Sequence, residues 1–183
     1  MDQSRLQMIT TLKNYKTEAY KRLKETIMSP NFPWNYYGTT IQNQTDDLHL
    51  MSHCFLARPG QENPYTKSLS EHTPLAAFVC QQILGMNEIE VHMFYRIAVN
   101  LVFDTEGTSV KHVDHEYPHE NLIVYLNKFD KGRTLVYDDD DNEYSVTPKE
   151  DKAVTFNGSY QHCHESSSNG RRIALIATYL RDE

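Results

Sequence analysis

Two helical segments followed by eight short strands predict an α+β, mainly β chain. The expected architecture is a jelly roll (double-stranded β-helix) of eight strands with supporting helices at its N-terminal end. Three observations carry that expectation. Apolar residues recur at helical steps over residues 3–27 and again over 75–83. The period drops to two from Ile89 onward. Beyond position 104, turn-forming pairs punctuate the chain at near-regular intervals: Lys131-Gly132, Asp141-Asn142, Pro148-Lys149, Asn157-Gly158 and Asn169-Gly170.

In the first segment Leu6, Ile9, Leu12, Tyr15, Ala19, Leu23 and Ile27 share a helical face, with Lys and Glu between them. A support helix laid on a sheet accounts for this better than a partner-binding helix. Pro30 and Pro33 end it. Residues 31–38 carry the only Trp, Trp34, with Tyr36 and Tyr37. They line a substrate mouth or fill the core at the rim of the sheet. Residues 49–56 alternate loosely as a strand, and His53 on it reads as a hydrogen-bonded core histidine rather than a ligand. Residues 58–69 hold Pro59, Gly60 and Pro64 and form a loop, either a site cover or simply mobile. The second helix opens at Ser70 and has Pro74 early. It turns Leu75, Phe78, Val79, Gln82 and Ile83 one way and closes at Gly85.

The longest alternating run, 91–103, puts Val91, Met93, Tyr95, Ile97, Val99 and Leu101 on one face. His92, Phe94, Arg96 and Asn100 lie on the other, and Arg96 with Asn100 reads as the polar wall of a site rather than a satisfied core hydrogen bond. Strands are then expected over 108–113, 121–127, 133–138, 143–147, 152–157, 160–165 and 171–180. The acidic run 138–141 lacks the Gly and distal Glu of a calcium loop, so it reads as a solvated hairpin tip. The whole chain, 1–183, is one domain: 1–90 the helical support and aromatic loop region, 91–180 the jelly-roll core.

The balance of 18 basic against 25 acidic residues gives a net charge of −7. No basic run occurs, which argues against a protein whose affinity comes from neutralising nucleic-acid phosphates. Three cysteines, Cys54, Cys80 and Cys163, form an odd set without a Cys-x-x-Cys, as expected for free thiols in a reducing compartment. No apolar run approaches membrane-spanning length, and the N-terminus has no apolar leader, so the expectation is a soluble, cytoplasmic chain.

The chemistry centres on His112-Val113-Asp114. In a strand, residues two apart face the same side, so an imidazole and a carboxylate are delivered together. One more imidazole completes a 2-His-1-carboxylate set with open coordination positions, which suits non-haem Fe(II). His162 or His164, in Tyr160-Gln161-His162-Cys163-His164-Glu165, is the candidate. Arg171-Arg172 then opens an otherwise apolar strand. An Arg there is costly to bury without an anion and is a candidate carboxylate clamp.

These parts, in this order, resemble the Fe(II)/2-oxoglutarate-dependent dioxygenases, closest to the prolyl 4-hydroxylase-like subgroup. Ile123-Val124-Tyr125-Leu126-Asn127, Gly132-Arg133-Thr134, the Phe156-to-His162 element and Arg172-Ile173-Ala174-Leu175 carry the resemblance. Phe32-Pro33-Trp34, His53 and Tyr95-Arg96 further resemble short oxygenases encoded by marine phages and bacteria. The resemblance implies Fe(II) held by His112, Asp114 and His162. It implies 2-oxoglutarate with its far carboxylate on Arg172 and Tyr125, and Thr134 beside them. O2 is the second co-substrate, succinate and CO2 are released, and a substrate C–H bond is hydroxylated.

The Phe156 spacing and the ten-residue gap to Arg172 favour His162 over His164. Arg172 is favoured over Arg171. Arg133 departs from the subgroup's Gly-Gly pair. Asp114 as carboxylate ligand favours hydroxylation or demethylation over halogenation. The substrate is a prolyl or other protein side chain, or a small molecule, touching residues 32–37 and 58–69. The competing classes are a non-catalytic jelly-roll binding protein and a cupin-type metalloenzyme that needs no 2-oxoglutarate.

Overall fold

The computed structural model describes residues 8–39, 48–60, 64–104 and 106–182. In chain order the elements are β1 (Thr10–Leu12), α1 (Glu18–Met28), β2 (Asn35–Tyr37), β3 (Leu50–Ala57), β4 (Lys67–Ser68), α2 (Thr73–Gly85) and β5 (Val91–Val102). There follow β6 (Glu120–Tyr125), β7 (Asp130–Lys131), β8 (Thr134–Tyr137), β9 (Glu143–Val146), β10 (Ala153–Asn157), β11 (Gln161–His164), β12 (Ser167–Asn169) and β13 (Arg172–Arg181). One antiparallel sheet runs β1-β10-β6-β13-β5-β3-β2, with β4 added on β3. A smaller antiparallel sheet has the order β11-β8-β9, and β12 pairs with β7.

Side-chain alternation gives the large sheet two unlike faces. Leu122 and Val124 of β6, with Ile173, Leu175, Ala177 and Tyr179 of β13, point to the helices. There they join Leu23 and Ile27 of α1 and Val79, Ile83 and Leu84 of α2. Burying one such side chain contributes about 1.5–3 kcal/mol, so this apolar layer anchors the fold. Ile123, Tyr125 and Ala174 point the other way and pack against Val136 of β8 and Val146 of β9. That second layer is smaller and leaves room for a cavity.

Residues 3–27 are not one helix. Thr10–Leu12 pairs with β10 as an edge strand, and α1 begins at Glu18 behind Thr17, whose Oγ1 accepts from Tyr20 N at 3.2 Å. The three-residue step from Ile9 to Leu12, which suits one helix face, suits opposite faces of a strand equally well. Ile9 joins the inner layer and Leu12 the helix-side layer. Leu6 lies outside the described residues.

In α2 the buried face is Ala76, Val79, Cys80, Ile83 and Leu84, and Phe78 is exposed. The packing stripe is therefore offset from the one expected. Gln82 faces α1, where its Oε1 accepts from Thr17 Oγ1 at 2.9 Å.

Seven of the eight predicted strands form, with ends shifted by up to two residues. The exception is 108–113, which makes only two isolated bridges, Thr108 to Glu165 and His112 to His162. The register shifts by one residue between them, and the Ser109 hydroxyl, not a backbone carbonyl, accepts from His164 N at 3.0 Å. A bulge of this kind ends regular pairing and re-aims side chains.

The 138–141 turn is exposed, as expected, and Asp138 Oδ1 accepts from Asn142 N at 2.9 Å. All three cysteines are free thiols. Among the described residues no helix is long and apolar enough to cross a membrane.

Candidate active site

A cavity of about 770 Å³ opens between the inner faces of β3, β5, β6 and β13 and the strands β8 and β11. His112 reaches it because its backbone is tied to β11. His112 N donates to His162 O at 3.0 Å, and His162 N donates back to His112 O at 2.9 Å. The two rings sit 4.4 Å apart, centre to centre. Asp114 follows on the same side, while Val113 between them is 38 % exposed at the cavity's edge.

The ligand atoms of His112, Asp114 and His162 lie within 4.8 Å of one another. Their hydrogen bonds set the tautomers. His112 Nδ1 donates to Val110 O at 3.0 Å, and His162 Nδ1 donates to Tyr160 O at 3.2 Å. A carbonyl only accepts, so each neutral ring keeps its proton on Nδ1 and carries a lone pair on Nε2. Orientation of a metal-binding imidazole by a backbone carbonyl is a common arrangement. Burial, then the neighbouring His162, lowers the His112 pKa and favours the neutral, ligating form.

Burial alone would raise Asp114. When His162 is protonated, its hydrogen bond and charge, with help from Arg96 and His112, outweigh it and hold the carboxyl well below the usual carboxylate range. His162 Nε2 stands 3.3 Å from Asp114 Oδ2. Three ligand atoms of metal-binding type thus converge on one point.

His164 is outside that group. Its ring is buried, with Nδ1 3.1 Å from Ser109 Oγ and Nε2 lacking a hydrogen-bond partner. It lines the same cavity and feels the charge of Arg172.

Arg172 is 2 % exposed. Its Nη2 donates to Thr134 Oγ1 at 3.1 Å, and its guanidinium carbon lies 5.5 Å from the Tyr125 ring centre. Thr134 Oγ1 is also 2.7 Å from Tyr125 OH. With Tyr125 OH donating to it, Thr134 keeps its own hydroxyl proton to offer into the cavity. No carboxylate lies within ion-pair distance of Arg172 among the described residues, and its Nε has no partner at all. Burial lowers its pKa, only partly offset by Tyr125. A buried, uncompensated guanidinium is expensive, and an anionic ligand is its natural complement. Arg171, the alternative clamp, is exposed.

Other expectations resolve around this centre. Arg96 and Asn100 do line the cavity, and Ser52 Oγ donates to Asn100 Oδ1 at 2.7 Å. Phe32 packs on Trp34, His53 and Phe55 as core, whereas Tyr37 lines the cavity. His53 Nδ1 donates to Pro33 O at 2.9 Å, as a core histidine should. From the 58–69 segment, Arg58 reaches the cavity. Arg133, in place of a glycine, points away and binds Glu165, with Nε to Oε2 at 2.9 Å. Gly132 does need to be glycine: its φ is +68°, and a Cβ would sit 2.8 Å from the Phe129 ring.

Asn121 went unnoticed in the sequence. It is 1 % exposed, both amide atoms lack partners among the described residues, and it lines the cavity. The signal was there, because Asn121, Ile123 and Tyr125 alternate onto the inner face.

No known protein-family profile matches the sequence, and no curated protein does. Solved structures do match. An oxidoreductase of the 2OG-Fe(II) oxygenase family from Burkholderia pseudomallei superposes with a TM-score of 0.72 at 12% identity, over 96% of this chain and 86% of that one. A prolyl hydroxylase from Trichoplax adhaerens, in complex with a hypoxia inducible factor peptide fragment, gives 0.64 at 11% identity, over 94% and 83%. A Pseudomonas putida prolyl-4-hydroxylase gives 0.57 at 16% identity, over 96% and 94%. The fold is that of the 2-oxoglutarate/Fe(II) oxygenases. At these identities the likeness is one of fold, and the chemistry has to be argued from the residues.

Proposed function

We propose that this chain is an Fe(II)- and 2-oxoglutarate-dependent dioxygenase that hydroxylates a substrate C–H bond. One observation carries the reading. A cavity with a convergent His-Asp-His set at one point holds, at its deep end, a buried guanidinium without a counter-ion. The residues fit both groups. His112, Asp114 and His162 would hold the metal through two imidazole Nε2 atoms and a carboxylate. Arg172 and Thr134 would take the distal carboxylate of 2-oxoglutarate, with Tyr125 holding Thr134 in place. The orphaned polar atoms at Arg172 Nε, His164 Nε2 and Asn121 are the unmet hydrogen-bonding capacity that a polar co-substrate would satisfy.

Bound together, iron and 2-oxoglutarate supply the oxidising chemistry, consuming O2 and releasing succinate and CO2. The chain's own contribution is placement. Val110 O and Tyr160 O fix the two imidazoles, the apolar wall of Ile123 and Ile176 limits water, and Arg172 orients the diacid. The cupin-type and binding-protein alternatives leave Arg172 buried without a purpose. The eight-stranded double-stranded β-helix, and a single domain spanning 1–183, belong to this same reading. The substrate is a prolyl or other side chain of a protein, as the peptide held by the Trichoplax relative suggests, or a small molecule.

The test is succinate release from 2-oxoglutarate under air with Fe(II). The reading predicts release by the wild-type chain and none from His112→Ala or Asp114→Ala. Intact wild-type protein that releases no succinate rejects it.

A further inference from the structure

Among the described residues three arginines line the cavity, and the co-substrate would satisfy one. Arg172 closes the deep end. Arg96 projects from β5, whose register places it opposite Thr178 of β13. Arg58 stands at the rim, where its Nη1 donates to the backbone carbonyl of Asp114 at 2.6 Å. Neither Arg58 nor Arg96 has a carboxylate within ion-pair distance among the described residues. Among the described residues Asp114 is the one acidic residue lining the cavity, and in the reading above it serves the metal. The chain has a net charge of −7 and acids to spare, yet among the described residues none lies within ion-pair distance of Arg96. Its charge is felt instead by Asp114, His112, His115 and Cys54.

The neighbouring wall has the same polarity. Asn100 Oδ1 is occupied by the Ser52 hydroxyl, so the Asn100 amide has its N–H groups left to give. A half-buried guanidinium and a free amide donor on the same face of β5, with a second guanidinium at the mouth, make a receptor for an anion. A carboxylate or phosphate there would meet the Arg96 guanidinium and the Asn100 amide, in a cavity whose low-dielectric walls strengthen each contact.

Resting on the oxygenase reading, we propose that the primary substrate is a small molecule bearing a carboxylate or phosphate group, held by Arg96 on β5 with Arg58 at the mouth. The anion anchors the molecule on the β3-β5 wall and presents a C–H bond toward the His112-Asp114-His162 centre. A carboxylate and a phosphate share this chemistry, and the experiment separates them.

The experiment is calorimetric titration of protein loaded with Mn(II) and 2-oxoglutarate, which binds without turning over. One arm uses the L-amino acids and their carboxamides. The other uses ribonucleoside 5′-monophosphates and the matching nucleosides. At least one anionic member should bind about tenfold or more tighter than its neutral partner, as a charge-assisted contact provides. Arg96→Gln should erase that preference, Arg96→Lys should restore part of it, and affinity for 2-oxoglutarate should stay as in the wild type in both variants. That last titration also shows that the variants are folded.

Three results overturn the proposal. They are no preference for any anionic member, a preference that survives Arg96→Gln, and a loss of 2-oxoglutarate affinity in Arg96→Gln, which would assign Arg96 to the co-substrate. Failure of the wild-type protein to bind Mn(II) and 2-oxoglutarate at all would instead remove the oxygenase reading, and this inference with it.

Discussion

The two faces of the large sheet are built from the same strands and do opposite work. β6 reads Asn121-Leu122-Ile123-Val124-Tyr125, and alternate residues go to alternate faces. Leu122 and Val124 enter a continuous apolar layer under α1 and α2, where shape and burial are the whole requirement. Asn121 and Tyr125 enter the cavity side with Arg172, facing Thr134, His162 and His164 of the smaller sheet; most of these are buried and several have polar atoms unmet. The helix side lowers the free energy of the fold, and the cavity side spends some of it to keep donors and lone pairs ready for ligands. Substitutions on the two faces should therefore fail in different ways.

The sharpest contrast lies within one strand. His162→Ala should abolish metal binding, read as Fe(II) or Mn(II) bound per chain, because it removes one of the three convergent ligand atoms. His164→Ala should leave the metal in place. The reverse result would move the metal centre two residues along β11. Next comes Arg172→Met. Co-substrate affinity should fall by about 2–5 kcal/mol, the usual cost of deleting one partner of a buried charge contact. The ligand-free protein should be unchanged or more stable by about 1–4 kcal/mol, since an unpaired buried charge is gone. Melting with and without 2-oxoglutarate reads both, and a destabilised ligand-free variant would show that Arg172 is structural.

On the opposite face Leu175→Ala should cost about 2–5 kcal/mol in denaturant unfolding, with the metal site intact once folded. Smaller again is Asp151→Asn. Burial would raise this carboxyl, but Lys24, Tyr20 and Lys16 outweigh it and lower its pKa, tying α1 to the turn before β10. A carboxyl depressed on folding stabilises above its unfolded pKa and loses that contribution as pH falls through the folded value. Asp151→Asn should cost about 1–3 kcal/mol at neutral pH and flatten the acid side of the stability profile. An unchanged acid limb would show that Asp151 adds nothing.

The contrast also explains what could be read before the fold was known. Period-two alternation over β5, β6 and β13 announces strands whichever face matters. The order His112, Asp114, His162, Arg172 marks one face as chemical. The 108–113 segment misled because it alternates like a strand, while the register shift beside Ser109 breaks its ladder. The first strand misled because Ile9 and Leu12 satisfy a helical step and yet serve two faces of the sheet. Asn121 stayed hidden for a different reason. Sequence names a polar residue on a buried strand, but only packing shows that its amide finds no partner.

The most direct measurement is the anaerobic visible spectrum of the protein with Fe(II) and 2-oxoglutarate. The account predicts a weak charge-transfer band that saturates with both additions and is absent from Asp114→Ala. Folded wild-type protein that binds the metal but develops no band with 2-oxoglutarate would contradict it.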